Sequence, residues 1–236
     1  MTLTTNLNLH ELETTLESLD LAGSLRWIAE WQPGAVTFST SLGQEDQVIT
    51  DAVFRNKLDV RVFTLDTGRL FHETYALADE TRAQYGQPIQ TYFPDTQQVE
   101  KLVSDKGFFS FYESVENRKE CCHIRKVVPL RRALQGTKVW VTGLRGEQSQ
   151  NRQAMKIIEW DEGYQLFKFN PLIHWNYTQV TDYIRANNVP DNPLHRKGFI
   201  SIGCGPCTRA IEPGEDPRAG RWWWETSKKE CGLHSS

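Results

Sequence analysis

The 236-residue chain carries 27 Lys and Arg against 30 Asp and Glu, a formal net charge of -3 with a pI near 6.1, which argues against a protein that coats nucleic acid, since such domains usually carry a basic stripe and a pI above about 9. With 39% hydrophobic residues, eleven Phe and eight Trp, it can bury a sizeable core and has no disordered or fibrous bias. No run approaches the roughly 18 consecutive apolar residues of a membrane span, and residues 1–9 lack the basic start and apolar run of a secretory signal, so the sequence predicts a soluble, cytoplasmic protein.

Apolar residues recur at helical spacing over 10–31 (Leu12, Leu16, Leu19, then Leu25, Ile28 and Ala29) and stop at Pro33-Gly34, which predicts one or two amphipathic helices. Residues 35–39 form a β-prone run, and Val48, Ile49, Ala52 and Val53 mark the buried face of a helix over 45–55. The same succession returns as a strand at 60–65, a loop Asp66-Thr67-Gly68-Arg69 and a helix over 70–85 closed by Gly86. Strands at 89–93 and 138–142, a helix over 119–134, a hairpin of 155–160 with 165–169 and a helix near 178–186 complete the list. Strands alternating with helices of ten or more residues predict an α/β fold, a parallel sheet flanked by helices with right-handed crossovers. From residue 208 the periodicity fades, and nearly thirty residues of this kind read as a functional loop or mobile tail.

In such sheets ligands sit beyond the carboxyl ends of the strands. The loop Ser39-Thr40-Ser41-Leu42-Gly43-Gln44-Glu45-Asp46 opens a helix there, so its hydroxyls and N–H groups can cradle a phosphate. It lacks the Gly-Lys-Ser/Thr ending of a Walker A loop, and an ordinary cap and turn is the competing reading. Leu65-Asp66-Thr67-Gly68-Arg69 is a second loop at a strand end, although Asp66 also suits a helix cap. Gly143-Leu144-Arg145 is a third, and its guanidinium can grip phosphate or sulfate oxygens in pairs; a solvated surface arginine is the plain alternative. Three loops at one sheet edge point to an anionic ligand of nucleotide size.

Five cysteines without a secretory signal make a disulfide framework a poor reading. Four form two close pairs, Cys121-Cys122 and Cys204-Gly205-Pro206-Cys207, and Cys231 stands apart. Two pairs suit a four-thiolate zinc site, an iron–sulfur cluster or buried unliganded thiols. Neighbouring cysteines on a helix point about 100° apart, which favours a multi-iron cluster over a single zinc ion. Cys231 lies between Lys228-Lys229 and His234, surroundings that lower a thiol pKa and favour the thiolate.

Cys121-Cys122, Cys204-Gly-Pro-Cys207, Arg218-Ala-Gly-Arg221-Trp-Trp-Trp and Glu230-Cys231-Gly-Leu-His234 together resemble the assimilatory adenylyl-sulfate (APS) reductases, over most of the chain. The resemblance implies an adenine-nucleotide α-hydrolase-like fold and reduction of APS to sulfite and AMP with thioredoxin as electron donor, in sulfate assimilation leading to cysteine. It implies that Cys231 attacks the sulfur of APS to leave an S-sulfocysteine, and that Cys121, Cys122, Cys204 and Cys207 hold a [4Fe-4S] cluster. Lys126 is similar to a family lysine between cluster and substrate. Arg218, Arg221 and His234 resemble residues gripping the substrate, and Ser39, Ser41, Gly43, Leu65, Asp66, Gly143 and Arg145 resemble the nucleotide contacts. One departure is Gly146, where a second basic residue usually follows the position of Arg145. The implied organisation is a nucleotide-binding and iron–sulfur domain over 1–207 and a substrate-clamping tail over 208–236. Trp222, Trp223 and Trp224 read as a hydrophobic plug docking that tail. A PAPS or dual APS/PAPS reductase is the neighbouring alternative, although both cysteine pairs favour APS. A metal protein with four cysteine ligands that binds an adenine nucleotide without turnover is the alternative from another class. Homo-oligomers occur in the family.

Overall fold

The computed structural model describes residues 8–148, 152 and 154–225. Helix α1 (Leu9–Glu17) starts in a capping box, in which the Asn8 side chain accepts from the Glu11 N–H and the Glu11 carboxylate accepts from the Asn8 N–H. Helix α2 (Leu21–Trp31) is capped by Asp20, which accepts from the Gly23 N–H. Strand β1 (Val36–Thr40), helix α3 (Gln44–Arg55), strand β2 (Arg61–Leu65), helix α4 (His72–Tyr85) and strand β3 (Gln90–Tyr92) follow. Helix α5 (Thr96–Lys106) runs from an Asp95 cap to Gly107, whose φ of 80° ends it. Then come α6 (Val115–Cys122), α7 (Val128–Ala133), strands β4 (Val139–Val141), β5 (Ile158–Asp161) and β6 (Leu166–Phe169), and helix α8 (Tyr177–Asn187).

The six strands form one sheet in the order β3-β2-β1-β4-β6-β5. β4 runs parallel to β1 and to β6, with Val141 opposite Phe38 and Phe169. β5 is antiparallel to β6, as the hairpin expectation requires. The mostly parallel sheet flanked by helices matches the fold class read from the sequence. Among the described residues no helix is long and apolar enough to cross a membrane.

The chain divides into two compact units. The first takes Met1–Phe63, Leu77–Gln90 and Gly136–Asp191. Its core joins Leu12, Leu16, Leu25 and Ile28 of α1 and α2 to Val36 and Phe38 of β1, Val48, Ile49, Ala52 and Val53 of α3, and Val139, Val141 and Phe169 of the neighbouring strands. Those are the residues whose spacing made the helices and strands readable. Removing this apolar surface from water, at roughly 25 cal/mol per Å2, drives the assembly of the unit.

The second unit takes Thr64–Ala76, Thr91–Gln135 and Asn192–Ser236. Its smaller core consists of Leu102, Phe111, Cys121, Cys122, Cys204, Cys207 and Trp222, with Ile124 and Trp224 packed against it. The helix expected over 119–134 begins four residues earlier, at Val115, capped by Ser114, and carries a π-helical stretch His123–Val127 between α6 and α7. Helix α5 is an addition to the sequence reading. Residues 208–225 fold back on the cysteine turn: Thr208 bridges Arg221, the Arg209 N–H donates to the Gly220 carbonyl at 3.0 Å, and the Trp222 N–H donates to the Cys207 carbonyl at 3.2 Å. A Cβ at Gly220 would lie 2.3 Å from the Arg209 carbonyl oxygen, so only glycine lets these strands approach.

Candidate functional site

In the first unit β1 delivers its chain directly into the N-terminus of α3. Gly43 is the N-cap and brings no side-chain hydrogen bond, while Leu42, at φ 61°, buries its side chain. A leucine in the left-handed region is strained backbone, held by its surroundings. The Ser41 N–H and hydroxyl both donate to Asp46 Oδ2, at 2.6 and 2.7 Å. Asp46 is buried, and burial lifts its carboxyl to about 6 against the lowering effect of the two Ser41 hydrogen bonds, with Glu45 adding to the rise. Ser39 accepts from Trp140 Nε1 at 2.8 Å. The third loop meets the first here, for a Cβ on Gly143 would fall 2.0 Å from Asp46 Oδ1. Only a residue without a side chain fits that contact.

Arg145 is nearly buried rather than solvated. Its Nε donates to Glu45 at 2.8 Å, its Nη1 reaches Glu147 at 3.2 Å, and its guanidinium lies 5.8 Å from the centroid of Tyr177. Tyr177 in turn donates to Gln44 Oε1 at 2.9 Å. The first turn of α3 thus fixes Arg145 through Glu45 and the ring over it through Gln44.

In the second unit Leu65 ends β2 and Asp66 forms an Asx turn, accepting from the Gly68 N–H at 2.7 Å and from the Tyr75 hydroxyl at 2.9 Å. Asp66 therefore caps a turn and not α4, which starts at His72. Thr67 Oγ1 stands 3.3 Å from Cys204 Sγ, and the Thr67 carbonyl accepts from Arg125 Nη1 at 2.7 Å. The Arg69 carbonyl accepts from the Gly205 N–H at 2.7 Å, so the loop is tied to the turn Cys204-Gly-Pro-Cys207.

These four cysteines are buried in one apolar cluster and form no disulfide. Burial raises the Cys121 thiol, opposed by Arg69 and Arg125. Cys207 is pushed up to about 12, first by burial and then by Cys204 and Cys122. Burial also acts on Cys204, but Lys126, the Thr67 hydroxyl, Arg221 and Arg69 together outweigh it and bring this thiol below its ordinary value. Arg221 lies over Trp222 at 4.8 Å and against Gly203, where a Cβ would stand 2.4 Å from its Nη2. Among the described residues, Arg69 Nη1, Arg125 Nε and Arg221 Nε are buried without an acceptor.

Of the residues singled out in the sequence, Ser39, Ser41, Gly43, Gly143 and Arg145 fall in the first unit. Leu65, Asp66, Cys121, Cys122, Lys126, Cys204, Cys207, Arg218 and Arg221 fall in the second. Cys231 and His234 lie outside the described residues. Arg218 uses its N–H on Asp216 Oδ1 at 2.8 Å. The sequence reading passed over Asp46 as a fixing residue, and over Thr67, Arg69 and Arg125. Arg125 adjoins Lys126, and Thr67 and Arg69 belong to the second loop, which was the available signal. Trp222 is buried and Trp223 is 40% exposed, so the plug is Trp222 above all.

The fold is like that of yeast FAD synthetase in complex with FAD, which superposes with a TM-score of 0.55 over 85% of this chain and 73% of its own, at 16% identity, a likeness of fold alone. Phosphoadenylyl-sulfate (PAPS) reductase from Candida auris, solved as a phosphate complex, superposes with a TM-score of 0.73, covering 88% of this chain and 100% of that one at 29% identity. Residues 35–210 match the phosphoadenosine phosphosulfate reductase domain, and the chain belongs to that family. It is similar to proteins called adenosine 5'-phosphosulfate reductase, at 50% identity in Agrobacterium fabrum over 94% of this chain and 86% of that one. The Allochromatium vinosum protein of the same name is 51% identical over 85% of this chain and 78% of its own.

Proposed function

We propose that this protein reduces adenylyl sulfate to sulfite and AMP with electrons from a thioredoxin-type dithiol protein, a step of assimilatory sulfate reduction. The observation that carries the reading is the 50% identity, along 94% of the chain, to a protein named for that substrate. The thiolate of Cys231 attacks the sulfur of APS, the sulfur–oxygen bond to AMP breaks, and the sulfonate stays on Cys231 as S-sulfocysteine. A thiolate of the donor attacks Cys231 Sγ and displaces sulfite; its second thiol then releases Cys231 and closes a disulfide, which accounts for both electrons. Lys126, Arg218, Arg221 and His234 are the proposed holders of the sulfate and phosphate oxygens. Ser39, Ser41, Gly43, Leu65, Asp66, Gly143 and Arg145 are the proposed nucleotide contacts, and residues 208–236 the segment that closes over the substrate and excludes water.

Cys121, Cys122, Cys204 and Cys207 are the proposed ligands of a [4Fe-4S] cluster. Support comes from the donor set: four buried thiols in one cluster, ringed by guanidinium N–H groups that lack acceptors. Among the described residues, no group of three or more His, Cys, Asp and Glu is set to hold a metal ion. A single zinc with bonds near 2.3 Å needs its four sulfurs drawn within about 4 Å of one another, whereas a multi-iron cluster spreads its thiolates and presents further sulfur acceptors. When bound, such a cluster supplies a fixed charge that organises the surroundings of the sulfate. Thr67, Arg69 and Arg125 orient the cysteine turn and offset thiolate charge.

PAPS is the second substrate reading, favoured by the PAPS reductase of Candida auris. The test is iron and sulfide analysis with an optical spectrum on protein purified without oxygen, followed by sulfite release from APS and from PAPS. About four irons and four sulfides per chain with turnover of APS supports the reading. Turnover of PAPS alone replaces it with the second. Colourless, zinc-loaded protein that leaves both nucleotides intact overturns it in favour of a non-catalytic metal protein.

A further inference from the structure

Glu225 closes the described segment that leads to Cys231, and its carboxylate is almost completely buried. Arg118 of α6 grips it with two parallel hydrogen bonds, Nε to Oε1 and Nη2 to Oε2, each 2.9 Å, and the two side chains are only 1% and 3% exposed. The same guanidinium lies 4.8 Å from the centroid of the Trp222 ring. Trp222 is thereby held between Arg118 and Arg221, at a φ of 42°, a backbone conformation that a bulky residue keeps only where its surroundings over-determine it. The Glu225 N–H donates to the Trp222 carbonyl at 2.9 Å, which closes the turn.

A buried ion pair is a poor device for stability, because desolvation offsets most of the attraction and an apolar pair of similar volume often does as well. What the fork of a guanidinium adds is a fixed orientation. We propose that the Arg118–Glu225 pair is a positioning clamp that ties the root of the C-terminal segment to the tandem-cysteine helix, so that the helix carrying Cys121 and Cys122 sets the point from which Cys231 is delivered. This rests on the functional reading above. Cys231 is six residues beyond Glu225 in the sequence, so the clamp fixes the near end of a short tether. Holding the tether short raises the local concentration of the nucleophile.

The test compares iron-loaded wild type with Glu225→Gln, which keeps the shape and removes the charge. Three quantities are read: iron per chain, KM and kcat for APS, and hydrogen exchange at the Trp222, Glu225 and Arg209 amides. The expected result is unchanged iron, KM within threefold and kcat lowered at least tenfold. Exchange at Trp222 and Glu225 speeds up at least tenfold, while exchange at Arg209, whose partner is Gly220, stays as in wild type. Unchanged kcat and exchange in Glu225→Gln overturns the clamp; so does iron loss in step with activity, which makes the pair a scaffold element only. If Glu225→Gln does not fold, Glu225→Asp, which keeps the charge and shortens its reach, is read in its place by the same criteria. Should wild type neither turn over APS nor hold iron, the functional reading fails by itself, and equal exchange in variant and wild type still decides against the clamp.

Discussion

The first unit's loops use their polar groups on one another, and the second unit's cysteine region holds donors in reserve. Asp46 takes both donors of Ser41, and Arg145 is shared between Glu45 and Glu147. Around the thiols, Arg69, Arg125 and Arg221 each bury an N–H that meets no acceptor among the described residues. A buried donor without a partner costs about 1–3 kcal/mol, so the second arrangement carries a cost that the loops of the first avoid. The contrast is between a unit whose loop charges are met from within and one whose buried guanidinium groups keep unmet donors.

The severest way to break that contrast is Cys231→Ser. If the chemistry belongs to the thiol of the C-terminal segment, sulfite release falls by at least roughly 10,000-fold, as removal of a catalytic nucleophile does, and AMP affinity changes less than twofold; titration calorimetry and a sulfite assay decide it. Turnover retained by the variant would end the covalent mechanism. Next is Arg221→Ala. Loss of a desolvated cation is expected to lower kcat/KM for APS by about 2–5 kcal/mol, with the increase in KM carrying most of it; an unchanged KM removes Arg221 from the substrate.

The first unit gives smaller, sharper effects. Asp46 titrates in the folded protein at about 6 against an ordinary 3.8. Its folded pKa lies above the unfolded one, so folding favours the protonated acid. That contribution is complete below pH 3.8 and is lost as the pH rises through 6, a difference of about 3 kcal/mol. Denaturant titrations across this range should show the slope in wild type and a flattened profile in Asp46→Asn. The same slope in both would mean that another group is responsible. Smallest is Trp140→Phe, which removes the donor to Ser39 and leaves a gap beside Tyr164; it should cost about 2 kcal/mol of stability with AMP affinity within threefold.

The alternation of apolar faces made most of the architecture readable, because strands such as 35–39 and the α3 face at Val48, Ile49, Ala52 and Val53 are buried in one core and their spacing reports it. Helix α5 escaped because its apolar face is short: Val99 and Val103 are only half-buried beside the single buried Leu102. The cysteine pairs and the loops at strand ends were legible as residue types in a pattern. Contacts such as Thr67 with Cys204, 137 positions apart, leave no local mark in a single sequence. Arg145 was read as a free guanidinium because nothing near it shows that Glu45, far back in the chain, would reach it. Asp66 was read as a nucleotide contact with a helix cap as its plain alternative, and that alternative stood because an aspartate before a helix and one in an Asx turn look alike until the helix start is fixed.

The π-helical stretch His123–Val127 follows the tandem cysteines directly. A turn of this kind holds one residue more than an α-helical turn, and one residue is worth about 100° of rotation. Because the wide turn rotates less per residue, excising a single residue between Cys122 and Val128 would let the helix run on as a regular one with Cys121 and Cys122 close to their present phase relative to α7. What would change is the widened stretch itself, which carries Arg125 and Lys126, the cations that act on the Cys121 and Cys204 thiols. The surplus residue thus serves the placement of these two cations rather than the direction of the cysteine face, and a single deletion here should spare the helix while disturbing the charge around the thiols.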